Sequence, residues 1–225
     1  MRIPASLWLL FGMCSPAAYG AAAGNGTPVL NILVCDRVGI EDSTIRCAID
    51  VAQQILRDAG VHTDWKTCPL TQLDPSHARC LAEAGPRDIF IRILARPLPG
   101  QRLSAAATGS ALLGQEGGLP AYAYVYYDRV SRITSFHPAT RLRVLGHAIA
   151  HEIGHLLGLE HSWYGIMRGE WSRDQLWQMS TQYLLFPPGA ARTVQESVRK
   201  RVRSRGSALT PPSPSGPGGS GARCG

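Results

Sequence analysis

The chain has 225 residues, 44% of them hydrophobic and 17% charged, which is enough for one well-cored domain and excludes disorder throughout. Its formal charge of +7 is unevenly spread: residues 187–225 carry seven basic residues against Glu196 alone, Arg2 adds one, and residues 3–186 hold fifteen of each sign. The foldable part is therefore neutral, which argues against a nucleic-acid-binding core.

At the N-terminus, Arg2 precedes about a dozen apolar residues and then the small residues around Ala18–Ala23. That order predicts a secretory signal peptide over 1–23, and hence a secreted protein, extracellular or periplasmic. Met13 is a poor residue before a lipidated Cys14, and no other segment is apolar enough for a transmembrane helix.

Val29–Val34 reads as a strand, short and apolar. Residues 42–59 switch to helical period, with Ile45, Ala48, Ile49, Ala52, Ile55, Leu56 and Ala59 on one stripe and Gly60 placed to end the helix. Further strands are expected at Val61–Trp65, Asp88–Leu94 and Ala121–Tyr127, with an irregular edge strand near Ala107–Leu113 in a glycine-rich stretch. A helix opens near Pro138–Thr140 and runs to about Leu157 before Gly158. A last helix starts at Ser172, where Ser-Arg-Asp-Gln matches a capping box.

The foldable domain is expected over 27–186. Residues 187–225, rich in Pro, Gly, Ser and Arg, are expected to be disordered, with RKRVRSR a solvated charge run or a contact with an anionic surface. Cys68–Cys80 is expected to close a short loop and Cys35–Cys47 to form a second bridge; buried free thiols are the alternative.

Within HEIGHLLGLEHS, His151 and His155 are four apart, so a helix projects both imidazoles from one face. Two neutral imidazoles there can take neighbouring corners of a tetrahedral Zn2+ site. Glu152 does not reach the same point and would stand beside a water in the open position, where a carboxylate can accept its proton. Gly158 can adopt the left-handed conformation that ends a helix, and His161, three residues on, is then the third ligand. HExxH alone recurs in unrelated helices; Gly158 and His161 at fixed offsets make the pattern specific. His147, one turn earlier, is expected to pack or to support the site, and His62, His77 and His137 are isolated.

This motif, His151-Glu152-x-x-His155-x-x-Gly158-x-x-His161, resembles the zinc signature of the metzincin metallopeptidases. Ser162 after the third histidine looks most like the matrixin branch, and Met167 is the candidate for the methionine turn beneath the metal. The resemblance covers roughly residues 28–180 and is specific over 147–167. Arg168-Gly169 after the methionine departs from the Tyr-Pro usual in matrixins. The resemblance implies an α+β, zincin-like domain: a twisted, mostly parallel sheet, a long N-terminal helix, an active-site helix and a C-terminal helix. It also implies a secreted, monomeric zinc endopeptidase acting on peptide or protein substrates, and a sheet-edge strand around Ala107–Leu113 that binds extended peptide in antiparallel fashion. A zinc-containing binding module without turnover, or a zinc amidase acting on cell-wall peptides, are the alternatives.

Overall fold

The computed structural model describes residues 28–68, 79–80, 84–85, 87–112 and 122–203. The expected signal peptide, Cys14, His77 and Cys224 lie outside the described residues. In chain order the elements are β1 (Val29–Asp36), α1 (Asp42–Asp58), β2 (His62–Cys68), β3 (Ile89–Leu94), β4 (Gly109–Leu112), β5 (Tyr122–Tyr126), α2 (Tyr127–Ile133), α3 (Arg141–Leu156), α4 (Arg173–Gln178) and α5 (Pro188–Arg203). The strands form one sheet in the order β2-β1-β3-β5-β4, parallel throughout except β4, which pairs antiparallel with β5 at the edge.

Alternation sorts the side chains of β1 and β3 onto two faces. Leu30, Ile32 and Val34 of β1 and Ile89, Ile91 and Ile93 of β3 join the main core, which also takes the predicted stripe of α1 and most of α3. Gly146 lets α3 cross α1 closely, since a Cβ there would collide with the Ala48 carbonyl and Val51. The other face carries a smaller cluster of Leu33, Cys35, Cys68, Cys80 and Phe90. Among the described residues no helix is long and apolar enough to cross a membrane.

Two expectations are corrected. Cys68 and Cys80 are bridged, with Cα atoms 5.8 Å apart, but Cys35 and Cys47 are both free. Cys35 points into the smaller cluster while Cys47 lies exposed on α1, so the two cannot meet. The ordered chain also does not stop at Phe186. Pro188 opens α5, whose Val194 and Val198 are 0% and 3% exposed in the main core. Gln195 Nε2 donates to the Ala59 carbonyl (2.7 Å), Ser197 Oγ to that of Leu157 (2.7 Å) and Arg201 Nη1 to that of Arg87 (2.7 Å). Part of the basic run is therefore helix, and Arg201 within it is buried. A smaller difference lies at Tyr127, expected at the end of a strand, which instead begins α2.

Candidate metal centre

The site is built on the C-terminal half of α3. His151 and His155, one turn apart, project from the same side of the helix, His151 buried and His155 half-buried. The helix ends in a paired reverse-turn cap: Gly158 at φ +91° donates to the His155 carbonyl (3.0 Å) and Leu159 N–H to that of Gly154 (3.0 Å). A Cβ on Gly158 would meet only Ser197 Oγ, at 3.9 Å, so it is the left-handed backbone that calls for glycine, and lack of space plays no part. The turn carries the chain back, and the ligand-capable nitrogens of His151, His155 and His161 lie within 4.8 Å of one another. This is the one such metal-binding group among the described residues.

The interval from His161 to Met167 is short, and it closes on itself. Ser162 N–H donates to the Met167 carbonyl (2.8 Å) and Ser162 Oγ to that of Tyr164 (2.7 Å). Met167 is 1% exposed beneath α3, where Gly154, a wildcard position of the motif, leaves room for its sulfur. Gly169, part of the departure from the matrixin pattern, faces the His161 ring, and a Cβ there would lie 3.2 Å from Nδ1.

Hydrogen bonds fix the tautomers of two of these histidines. His151 Nδ1 bonds the Ile166 carbonyl (2.8 Å) and His155 Nδ1 the Leu159 carbonyl (2.7 Å). A carbonyl only accepts, so both Nδ1 atoms carry the proton and both Nε2 atoms present lone pairs. Burial is the main cause holding the His151 ring neutral, to a pKa of about 3, with the neighbouring His155 adding to it and the Ile166 bond opposing. His155 is lowered chiefly by burial as well. The ring of Trp171 stands edge-on to His151 at 5.6 Å, and its Nε1 donates to the same Ile166 carbonyl (3.3 Å).

Glu152 is 2% exposed, and burial pushes its carboxyl up to about 8. Its Oε2 has no hydrogen-bond partner among the described residues. Behind it stands Gly109 of β4, where a Cβ would run into Glu152 Oε1 and the Tyr124 carbonyl. His151, Glu152, His155 and His161 all line one cleft of about 500 Å3, with β4 and the segment before it along one wall.

The donor set fits zinc. Two nitrogens held tetrahedrally at about 2.05 Å lie roughly 3.3 Å apart, and the Nε2 atoms of His151 and His155 are separated by 3.0 Å. His147 is not part of the set. Its Nε2 accepts from Leu184 N–H (3.1 Å) and its Nδ1 donates to the Arg143 carbonyl (2.7 Å), so it ties α3 to the segment after α4. His62 and His137 are exposed and apart from the site. Sequence reasoning missed the carbonyls of Ile166 and Leu159, the space at Gly109 and Gly154, and Trp171. Of these, only the glycines carried a signal.

No family model and no curated protein sequence matches this chain. Solved structures do. The chain is similar to archaemetzincin from Methanopyrus kandleri, with TM-score 0.52 and 16% identity over 79% of this chain and 99% of that one. A zinc-dependent peptidase from Methanocorpusculum labreanum aligns with TM-score 0.48 and 15% identity over 73% and 99%. The first likeness shows the fold, a zincin-like mixed α/β domain with a five-stranded, mostly parallel sheet. That neighbour gives the matrixin branch no support.

Proposed function

We propose that this chain is a zinc-dependent endopeptidase. The observation that carries the reading is the convergence of the His151, His155 and His161 nitrogens in one cleft with a buried carboxylate oxygen, Glu152 Oε2, that has no hydrogen-bond partner among the described residues. Held by those three imidazoles, a zinc ion would supply Lewis acidity toward the substrate carbonyl and acidify a water. Glu152 takes the proton of the attacking water on its carboxylate and passes it to the nitrogen of the leaving amine. Burial raises the carboxyl's hold on a proton once it has one, and the positive charge of a zinc ion alongside would favour the ionised form that accepts it. Met167 and Gly154 form the apolar floor beneath the ligands.

Among the described residues β4 forms the sheet edge, which supports cleavage within a chain rather than trimming at an end. β4 is the last strand of the sheet order and lines the cleft, so an extended peptide can add antiparallel along its outer side and continue past both ends. Secretion is part of the same proposal, supported by the signal-like start and by the Cys68–Cys80 bridge, which persists in oxidising compartments.

The test is metal analysis together with cleavage. Purified protein should hold about one zinc per chain and cut an internally quenched peptide, and a chelator should abolish both. Retained zinc with no cleavage of any unfolded protein or peptide would overturn the catalytic reading and leave a binding module.

A further inference from the structure

Two cationic side chains, Arg102 and Arg168, line the cleft from different segments. Neither guanidinium is engaged by a hydrogen bond or ion pair among the described residues. Apart from Glu152, the cleft lining holds one carboxylate, that of Glu160. Elsewhere the arginines near the cleft are used structurally: Arg129 Nη1 donates to the carbonyls of Ser104 (2.7 Å), Ala105 (2.8 Å) and Ala107 (3.4 Å). Arg102 and Arg168 have no such task.

The segment that carries Arg102 is tied down on both sides. The Tyr126 hydroxyl donates to Gln101 Oε1 (2.7 Å) and bonds Ser110 Oγ (2.6 Å), while Arg129 grips the carbonyls that follow. Arg168 follows directly on Met167, immediately after the turn closed by the Ser162–Met167 bond, and its own N–H donates to the Gly165 carbonyl (3.5 Å). Ser104 Oγ donates to Glu170 Oε1 (3.2 Å), linking the segment of Arg102 to that of Arg168. Arg102 and Arg168 thus stand on connected segments of the cleft, and charge-assisted hydrogen bonds to a carboxylate are the ordinary use of a guanidinium.

From this arrangement we infer that the cleft selects peptides with an aspartate or glutamate side chain close to the bond that is cut, Arg102 and Arg168 being the specificity-determining residues. The inference rests on the peptidase reading for the word "cut", and on the arginines alone for the selection of acidic peptide.

The two are separable by experiment. Three labelled peptides are made, identical except for Glu, Gln or Lys at one position, which is moved in turn to either side of the centre. Binding is read by fluorescence anisotropy on the zinc-loaded Glu152→Gln protein, and cleavage by kcat/KM on the wild type. The Glu peptide should bind and be cut about tenfold better than the Gln peptide, with Lys poorest, and the ratio should shrink as salt rises. In Arg102→Gln/Arg168→Gln the Glu-to-Gln ratio should fall to about one, and Arg102→Glu/Arg168→Glu should favour Lys. Equal binding of all three by the arginine-containing protein, or a preference that survives the double substitution, overturns the inference. Equal cleavage of all three overturns it and leaves the peptidase reading standing. Selective binding of the Glu peptide without cleavage by wild type supports the inference and removes the peptidase reading.

Discussion

The Nε2 atoms of His151 and His155 face each other across 3.0 Å with a lone pair on each, because both Nδ1 protons are given to the carbonyls of Ile166 and Leu159. Without a cation between them this pair is repulsive; with one, the repulsion becomes coordination. Zinc should therefore stabilise the fold, by about 4 kcal/mol at a thousand times its Kd. Stripping it with a chelator should lower Tm by roughly 10 °C in a calorimetric scan, reversed by added zinc. An unchanged Tm would mean that the three histidines hold no ion.

Glu152→Gln keeps the shape of the side chain and removes its ability to take a proton. Turnover should fall by about 10²–10⁴-fold, while zinc content and Tm stay near wild type. Activity within a few-fold of wild type would take Glu152 out of the chemistry.

Gly109→Ala places a methyl group where Glu152 Oε1 and the Tyr124 carbonyl already stand. Either β4 or Glu152 has to shift. The expected cost is about 1–3 kcal/mol in urea unfolding, with a loss of activity larger than that of an alanine at Gly100, which has nothing within 4 Å.

His147 gives the fold a pH dependence of its own. It is fully buried, and its Nε2 accepts from Leu184 N–H, a bond that requires the neutral ring; burial, the largest cause, lowers it to about 4 while the bond from Nδ1 to the Arg143 carbonyl opposes. In the unfolded chain it takes a proton near 6.5. Because the folded value is the lower one, its contribution is complete above about 6.5 and is lost as pH falls toward 4, by about 3 kcal/mol in all. Urea midpoints measured from pH 7.5 to 4 should show this slope, and His147→Asn should flatten it. Parallel slopes for the two proteins would remove His147 as the cause.

The last helix should be required for folding. A chain ending at Phe186 loses two buried valines and the three bonds from Gln195, Ser197 and Arg201, together on the order of 5 kcal/mol. A chain ending at Arg203 should unfold like the full protein by circular dichroism. Equal Tm values for the two truncations would mean that α5 contributes nothing.

The elements with strong periodicity were legible in the residues: the stripe of α1, the run of α3 up to Gly158, and the capping box that opens α4, where Ser172 Oγ accepts from Gln175 N–H (3.3 Å). So was the grouping of His151, His155 and His161, because helical spacing and one glycine determine it. α5 was hidden by composition. Its valines recur every four residues, at 194, 198 and 202, behind a proline suited to a helix start, but arginine, lysine and serine around them imitate a solvated tail. The Cys35–Cys47 pairing failed because cysteine number says nothing about which face of β1 or α1 a thiol occupies. The partners of the site were illegible for another reason. The carbonyls of Ile166 and Leu159 act through backbone, which any residue type supplies, so no letter of the sequence marks them.

One of those carbonyls has two donors. Ile166 accepts from His151 Nδ1 and from the indole of Trp171, which is itself part of the cleft wall. On the proposed reading, the surface that would meet a peptide and the ring that would hold the metal share a single fulcrum. A side chain pressing on Trp171 would then transmit its load to the orientation of His151, and how well a peptide fits and how fast it reacts would be mechanically joined at one oxygen atom.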